Sequence, residues 1–328
     1  MTVLITGATG FVGSHLAAAL AKRGDQVRCL ARKPEAATFL TSLGAEVVPG
    51  SLDDAGSLQR AVRGVECVYH VAGLTAAGSE REFLGVNEGG TRRLLEAVRA
   101  AAPGLARFVY VSSIAAVGPV ARGQRLTEES LCRPVTPYGR SKLAGEAVVR
   151  GAEALRWTIV RPPVVYGPRD REMLRLFRIA RRGFAPVFGL GHQELSLVFV
   201  TDLAAGLVAA ATAATALGAT YHLAHPDVVR SRDLALEIGR AVRAGRAPFI
   251  VPVPGAVAAP IVRLIGAAAA AAGRRTVVSA DKMAEFLAPA WGTSVAKAER
   301  ELGWRPRYDL KAGVAATAAW YRDAGMLD

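Results

Sequence analysis

Aromatic residues make up only 6% of this 328-residue chain, cysteines number three, and of 41 basic residues only six are lysine. The three cysteines, Cys29, Cys67 and Cys132, lie far apart and form no CxxC pair. That excludes a disulfide scaffold and a cysteine-built metal site, and it fits a reducing, cytoplasmic setting. No run reaches the ~20 mostly apolar residues that a membrane-spanning helix needs. The nearest stretch, Gly255 to Ala272, is interrupted by Pro260 and Arg263 and reads as a buried or interfacial helix. Thr2-Val3-Leu4-Ile5-Thr6 starts directly as a strand, so no secretory leader is expected. Internal repeats are lacking, and only the Ala-rich 267–272 tract is low in complexity.

What is abundant is aliphatic: 51% of residues are hydrophobic, which excludes disorder and leaves enough for a large core. The formal charge is +13, yet the arginines are dispersed and stacking aromatics are scarce, so no nucleic-acid partner is expected. His222-Leu223-Ala224-His225 lacks the further ligands a metal needs, and no metal is expected.

In the first half, short apolar runs alternate with amphipathic stretches. Val3–Ile5, Gln26–Ala31, Ala45–Val48, Cys67–Val71, Arg107–Ser112 and Thr158–Val160 read as buried strands. Val12–Arg23, Leu58–Val62, Gly89–Ala101 and Pro137–Glu153 read as helices between them. The alternation predicts an α/β fold with a Rossmann-type doubly wound parallel sheet covered on both faces. After Arg161, frequent Pro and Gly loosen the pattern, and Leu197–Val200 reads as a returning strand. We therefore expect a cofactor-binding domain over 1–165, with 192–222 returning to it. A smaller mixed lobe over 166–191 and 223–328 would hold the substrate.

Two motifs carry chemistry. Thr6-Gly7-Ala8-Thr9-Gly10-Phe11-Val12-Gly13 follows the first strand and opens a helix. Glycines there allow a tight turn and close backbone approach to a pyrophosphate, which the helix N-terminus attracts. The second motif is Tyr138-Gly139-Arg140-Ser141-Lys142. Thr136 can cap this helix and Pro137 suits its first turn, so Tyr138 and Lys142, four residues apart, share a face. An ammonium beside the phenol, together with the positive ring of a bound nicotinamide, is expected to lower its pKa from ~10 and let Tyr138 exchange a proton with a substrate oxygen.

With their order and context, these motifs resemble the extended short-chain dehydrogenase/reductase superfamily (the epimerase/dehydratase family). The likeness is good over residues 1–210 and loose in the terminal Gly303–Trp320 region. It implies a catalytic set of Ser113, Tyr138 and Lys142, with Ser112 as a structural neighbour and Lys142 also holding the nicotinamide ribose. It further implies cofactor contacts from Gly7, Thr9, Gly10, Phe11, Val12 and Gly13, and from Val71, Ala72 and Gly73 at the adenine ribose. Where the family carries Gly-Asp-Leu near the adenine, this chain has Gly50-Ser51-Leu52, leaving Ser51 a weaker contact. Asn87 matches the family's helix Asn; binding backbone where a helix starts and relaying protons both remain open. Pro162, Val164 and Val165 match the stretch passing the nicotinamide carboxamide.

The second strand ends Leu30-Ala31-Arg32-Lys33 without the carboxylate that would receive a ribose 2′-OH. Arg32 and Lys33 are either solvated loop charges or partners for a 2′-phosphate. The latter favours NADP(H) over NAD(H).

Several reactions share the scaffold. Dehydratases of the family carry an acidic pair where this chain has Ile114-Ala115. Nucleotide-sugar epimerases carry an Asn where Val164 stands and an Arg where Leu195 stands. These departures look more like the 3β-hydroxysteroid dehydrogenase and dihydroflavonol-reductase branch. The expected activity is NADP(H)-dependent interconversion of a ketone and a secondary alcohol on a fairly hydrophobic substrate. A nucleotide-sugar epimerase is the alternative. Arg171, Arg175, Arg178 and Arg182 recur at helical spacing. They read as a solvated face, as a rim for an anionic substrate, or as a contact for a membrane surface. The resemblance also implies a homodimer through the helices near 90–101 and 139–153.

Overall fold

A computed structural model describes residues 1–258, 260, 262, 264 and 283–327. The 267–272 tract and most of the Gly255–Ala272 stretch lie outside the described residues. Among the described residues, no helix is long and apolar enough to cross a membrane.

The first strands and the helices expected between them are present, together with two helices, Thr38–Ser42 and Glu80–Asn87, that the sequence pattern does not predict. They are β1 (Thr2–Thr6), α1 (Phe11–Arg23), β2 (Gln26–Ala31), α2 (Thr38–Ser42), β3 (Glu46–Pro49), α3 (Ala55–Val62) and β4 (Cys67–His70). Then come α4 (Glu80–Asn87), α5 (Gly89–Ala101), β5 (Arg107–Val111), α6 (Pro137–Arg150) and β6 (Trp157–Arg161). Helix α6 ends at Arg150, three residues before the predicted end.

The remaining chain forms β7 (Val164–Tyr166), α7 (Leu174–Arg181), β8 (Phe184–Phe188), β9 (Glu194–Phe199), α8 (Val200–Thr212) and β10 (Ala219–His222). These are followed by β11 (Val228–Arg230), α9 (Ser231–Val242), β12 (Phe249–Val253), α10 (Met283–Leu287), β13 (Ala290–Trp291), α11 (Ala296–Leu302) and α12 (Leu310–Asp323).

Seven strands pair in parallel in the order β10-β6-β5-β4-β1-β2-β3. Apolar side chains cover both faces. Leu16, Leu20, Val160 and Leu207 pack on one side, and Leu58, Leu94, Phe108 and Val149 on the other. The chain direction across the sheet reverses between β1 and β4, and folds of this kind hold ligands at the C-terminal ends of the strands at such a point. The glycine loop leaves β1 there, and Val71-Ala72-Gly73 leaves β4 beside it.

The returning strand lands elsewhere than the sequence pattern suggests. β9 begins at Glu194 and joins β7, β11 and β13 in a four-stranded sheet; β10 is the strand that completes the large sheet. The diversion starts at Pro162-Pro163, which offer no N–H to continue the ladder beyond β6. β8 and β12 form a separate parallel pair. A third apolar cluster, including Tyr166, Phe177, Leu234, Ile238 and Tyr321, joins these elements to α7, α9 and α12. Asp202 fastens the C-terminal segment: its Oδ2 accepts from the backbone N–H groups of Arg307 and Tyr308, each at 3.0 Å.

Candidate active site

The glycine loop is shaped for close approach. Gly7 adopts φ +75°, and a side chain there would put its Cβ 2.7 Å from the Ala72 nitrogen. A Cβ on Gly13 would collide with the Gly7 carbonyl, so α1 rests directly on the turn. Gly10 caps α1 without a side-chain hydrogen bond, and the first turn carries no acidic residue. Its N–H groups and positive dipole end are therefore available to an anion. The Thr6 hydroxyl receives the Ala72 N–H at 3.3 Å and shares a 2.7 Å hydrogen bond with His70 Nδ1, joining the loop to the β4 exit. His70 is fully buried, which drops its pKa to about 3 and keeps the ring neutral.

Arg32 and Lys33 stand exposed just beyond β2. Ser51 and Leu52 follow β3, and the Leu52 carbonyl accepts from Arg93 Nε at 2.6 Å. These four residues, the glycine loop and the Val71–Gly73 run all lie at the exits of neighbouring strands.

The second group gathers around α6. Thr136 caps it, accepting the Gly139 N–H at 3.1 Å, with Pro137 at the first position. Tyr138 follows and hydrogen-bonds with the Ser113 hydroxyl, which also accepts the Ala115 N–H at 3.2 Å. One turn on, Lys142 is buried. Its Nζ donates to the Val111 carbonyl at 2.6 Å and lies 4.5 Å from the Tyr110 ring centroid. A Cβ on Gly73 would sit 3.6 Å from that ammonium and 2.9 Å from Asn87 Oδ1, so the β4 exit also converges here. Pro162 is drawn in by its carbonyl, which accepts the Ile114 N–H at 3.0 Å. Val164 and Val165 lie beyond it on β7.

Two sequence expectations change. Asn87 ends α4 rather than starting a helix. Its Oδ1 accepts the Leu74 N–H at 2.8 Å and its Nδ2 donates to the Ser141 hydroxyl at 2.8 Å, so it locks the β4 exit to α6. The electrostatics of Tyr138 also differ. Lys142 is drawn toward Val111 and Tyr110, and burial dominates, pushing the phenol up to about 12. The Ser113 hydrogen bond opposes that rise and the Glu285 carboxylate adds to it. Burial lowers Lys142 to about 8, against the attraction of Glu146.

Ser112 belongs to a different, buried network. Its hydroxyl donates to Glu146 Oε1 at 2.6 Å. Arg161 Nε and Nη2 grip the same carboxylate at 2.8 and 2.7 Å, and Arg150 reaches it at 2.9 Å. Glu146 and Arg161 are 0% and 2% exposed. This pair clamps α6 to β6 directly behind Lys142.

Sequence reasoning missed Glu285. Its Oε1 receives the Thr136 hydroxyl at 2.6 Å, while its backbone carbonyl accepts from Gln193 Nε2 at 2.8 Å and Trp291 Nε1 at 3.0 Å. A carboxylate on a five-residue helix 149 positions from its partner leaves no local signal. The next residues, Phe286 and Leu287, line a cavity of about 110 Å³ with Phe188, Leu190, His192 and Arg122. The Phe188 and Phe286 rings stack at 5.2 Å.

A Gly-shaped turn, an uncapped helix start and a Ser–Tyr–Lys group at the strand switch point together fit a dinucleotide carrying a reactive ring. Comparison with known proteins agrees. Residues 3–224 match the model of the NAD dependent epimerase/dehydratase family. A ceramide reductase of Caulobacter vibrioides (strain NA1000 / CB15N) is 37% identical over 331 residues, covering 99% of this chain and 96% of the relative. A putative dihydroflavonol 4-reductase of Synechocystis sp. (strain ATCC 27184 / PCC 6803 / Kazusa) is 35% identical, with 68% of each chain covered. The crystal structure of gox2253 superposes with a TM-score of 0.82 at 26% identity, covering 100% of this chain and 99% of that one. The chain belongs to the NAD-dependent epimerase/dehydratase family and is an NAD(P)-dependent oxidoreductase of the extended short-chain dehydrogenase/reductase type.

Proposed function

We propose that this enzyme reduces a ketone on a hydrophobic, lipid-like substrate to a secondary alcohol, using NADPH. The carrying observation is the Tyr138 phenol, hydrogen-bonded to Ser113 and pushed up to about 12. At neutral pH it is protonated, which suits a proton donor to a developing alkoxide. Ser113 donates a second hydrogen bond to the same substrate oxygen. Lys142, on the same face of α6, binds the nicotinamide ribose hydroxyls. The bound cofactor supplies the hydride; the protein orients it.

The apolar character of the substrate rests on the neighbourhood. Leu195, where epimerases carry an arginine, packs with Ile114, Val117 and Trp291, so this position offers a diphosphate no charged partner. Val164 presents an apolar side chain 38% exposed. Phe188, Leu190, Phe286 and Leu287 line the cavity beside α10 together with Arg122, His192 and Gln193, and the 37%-identical relative is a ceramide reductase. Incubation with NADPH and long-chain ketones is expected to give NADP+ and alcohol in equal amounts. Isomerisation of a nucleotide sugar without net cofactor change would replace this reading with the epimerase.

Arg32 supports the cofactor choice. A charged hydrogen bond to phosphate contributes roughly 1.5–3 kcal/mol. Arg32→Asp should therefore weaken NADPH about 10- to 150-fold while NADH changes little, read as Kd by nucleotide fluorescence. Equal losses for both would remove Arg32 from the 2′-phosphate site.

A further inference from the structure

The basic stripe remains unexplained by the active site. α7 buries Leu174, Phe177 and Ala180 and turns Leu176 and Ile179 outward, 38% and 36% exposed. Beyond its last turn, Phe184 begins β8 and pairs in register with Phe249 of β12; the two are 54% and 69% exposed. In-register neighbours on adjacent strands project to the same side, so the two rings form one exposed apolar step next to α7. The Phe249 N–H donates to the Gly183 carbonyl at 2.7 Å, fixing that step at the end of the helix.

Arginines surround it. Segments 171–182 and 240–249 together hold eight arginines and one acid, Glu172. Arg175 pairs with Glu172 at 3.6 Å, and Arg240 with Glu237 of α9 at 3.5 Å. Arg178 and Arg243 donate to the backbone carbonyls of Met326 and Ala247, and among the described residues neither is paired with a carboxylate. Among the described residues, Arg171, Arg182 and Arg246 meet no carboxylate. Large apolar side chains with an arginine rim suit an interface that is greasy inside and anionic at its surface.

We infer that α7 and the β8–β12 edge dock this enzyme onto an anionic lipid bilayer. Phe184, Phe249, Leu176 and Ile179 enter the headgroup–acyl boundary, and Arg171, Arg178, Arg182 and Arg246 meet lipid phosphates. A second copy of the chain is a poor occupant, since it brings the same +13 charge. Nucleic acid would match the arginines and could stack on the two Phe rings, but it would leave the aliphatic Leu176 and Ile179 against water, where a bilayer buries all four. The assignment stands on this surface alone and does not depend on which ketone is reduced.

The test is sedimentation of the full chain with vesicles of phosphatidylcholine alone or mixed equally with phosphatidylglycerol. The protein should pellet with the mixed vesicles, and high salt should release it. The pair Phe184→Ser with Phe249→Ser should lower partitioning about tenfold or more, from two lost apolar anchors. The pair Arg182→Glu with Arg246→Glu should lower it at least about thirtyfold. All four sites are exposed, so an unchanged unfolding midpoint checks the fold. If the Phe pair nevertheless unfolds, the Arg pair carries the test. Equal pelleting with neutral vesicles, or undiminished pelleting of both variants, overturns the proposal. So does tight binding of an oligonucleotide duplex without vesicle binding. A dimer that the Phe pair dissociates assigns the surface to a second copy instead, and likewise overturns it.

Discussion

Tyr138→Phe should lower kcat for ketone reduction by roughly 10²–10⁴-fold, the usual contribution of one positioned proton donor, while NADPH still binds. The substitution deletes one oxygen and keeps the ring, which contacts Phe83 at 6.0 Å between centroids. Thr136 still caps α6 and Lys142 still holds the Val111 carbonyl, so the helix and its ammonium stay in place. Steady-state turnover and a fluorescence titration of NADPH separate the two effects. A variant with full turnover would remove Tyr138 from the chemistry. Ser113→Ala serves as the internal comparison, because it removes one hydrogen bond but leaves the proton donor.

The second large effect concerns folding. Arg161→Met leaves the Glu146 carboxylate buried without its two-pronged partner, and breaking such a pair costs about 3–5 kcal/mol. At an unfolding entropy of ~2.1 cal/mol/K per residue, that corresponds to a Tm lower by about 4–7 °C. Replacing both partners, Arg161→Met with Glu146→Leu, should recover much of the loss, since no charge is then stranded. A double variant as unstable as the single one would refute that account. The pair also carries a pH signature. Burial raises the Glu146 pKa, but Arg161, Ser112 and Arg150 outweigh it and hold the carboxyl below its ordinary value of 4.5. A group depressed on folding stabilises above its unfolded pKa and loses that contribution as pH falls through the folded one. Thermal melts of the unaltered protein should therefore lose this contribution progressively below pH 4.5, a loss the double variant lacks. Because Glu146 lies one turn beyond Lys142, Arg161→Met should also lower turnover.

The features legible in the sequence were those set by local geometry. Gly7, Gly10 and Gly13 must share a turn, and Tyr138 and Lys142 must share a helix face, wherever those elements pack. Parallel strands buried on both faces announce themselves as apolar runs, which is why β1 to β6 were found nearly to the residue. The fate of β9 was not legible, because its apolar residues fit either sheet; its neighbours β7, β11 and β13 are very short and distant in sequence. Arg161 read as part of a backbone stretch, and only the folded chain brings its side chain to Glu146. The Tyr138 electrostatics escaped for the same reason. Spacing places Lys142 nearby, but the direction of its ammonium and the arrival of Glu285 depend on contacts far along the chain.

Glu285 binds two parts of the molecule at once, its carboxylate on Thr136 at the head of α6 and its carbonyl on Gln193 and Trp291 beside the small cavity. The segment 283–291 is therefore not an exchangeable cassette. Swapping it for a relative's version would disturb the cap of α6 together with the cavity wall. A graft that loses the Glu285 carboxylate takes away the acceptor of the Thr136 hydroxyl, the cap of the helix that carries Tyr138 and Lys142.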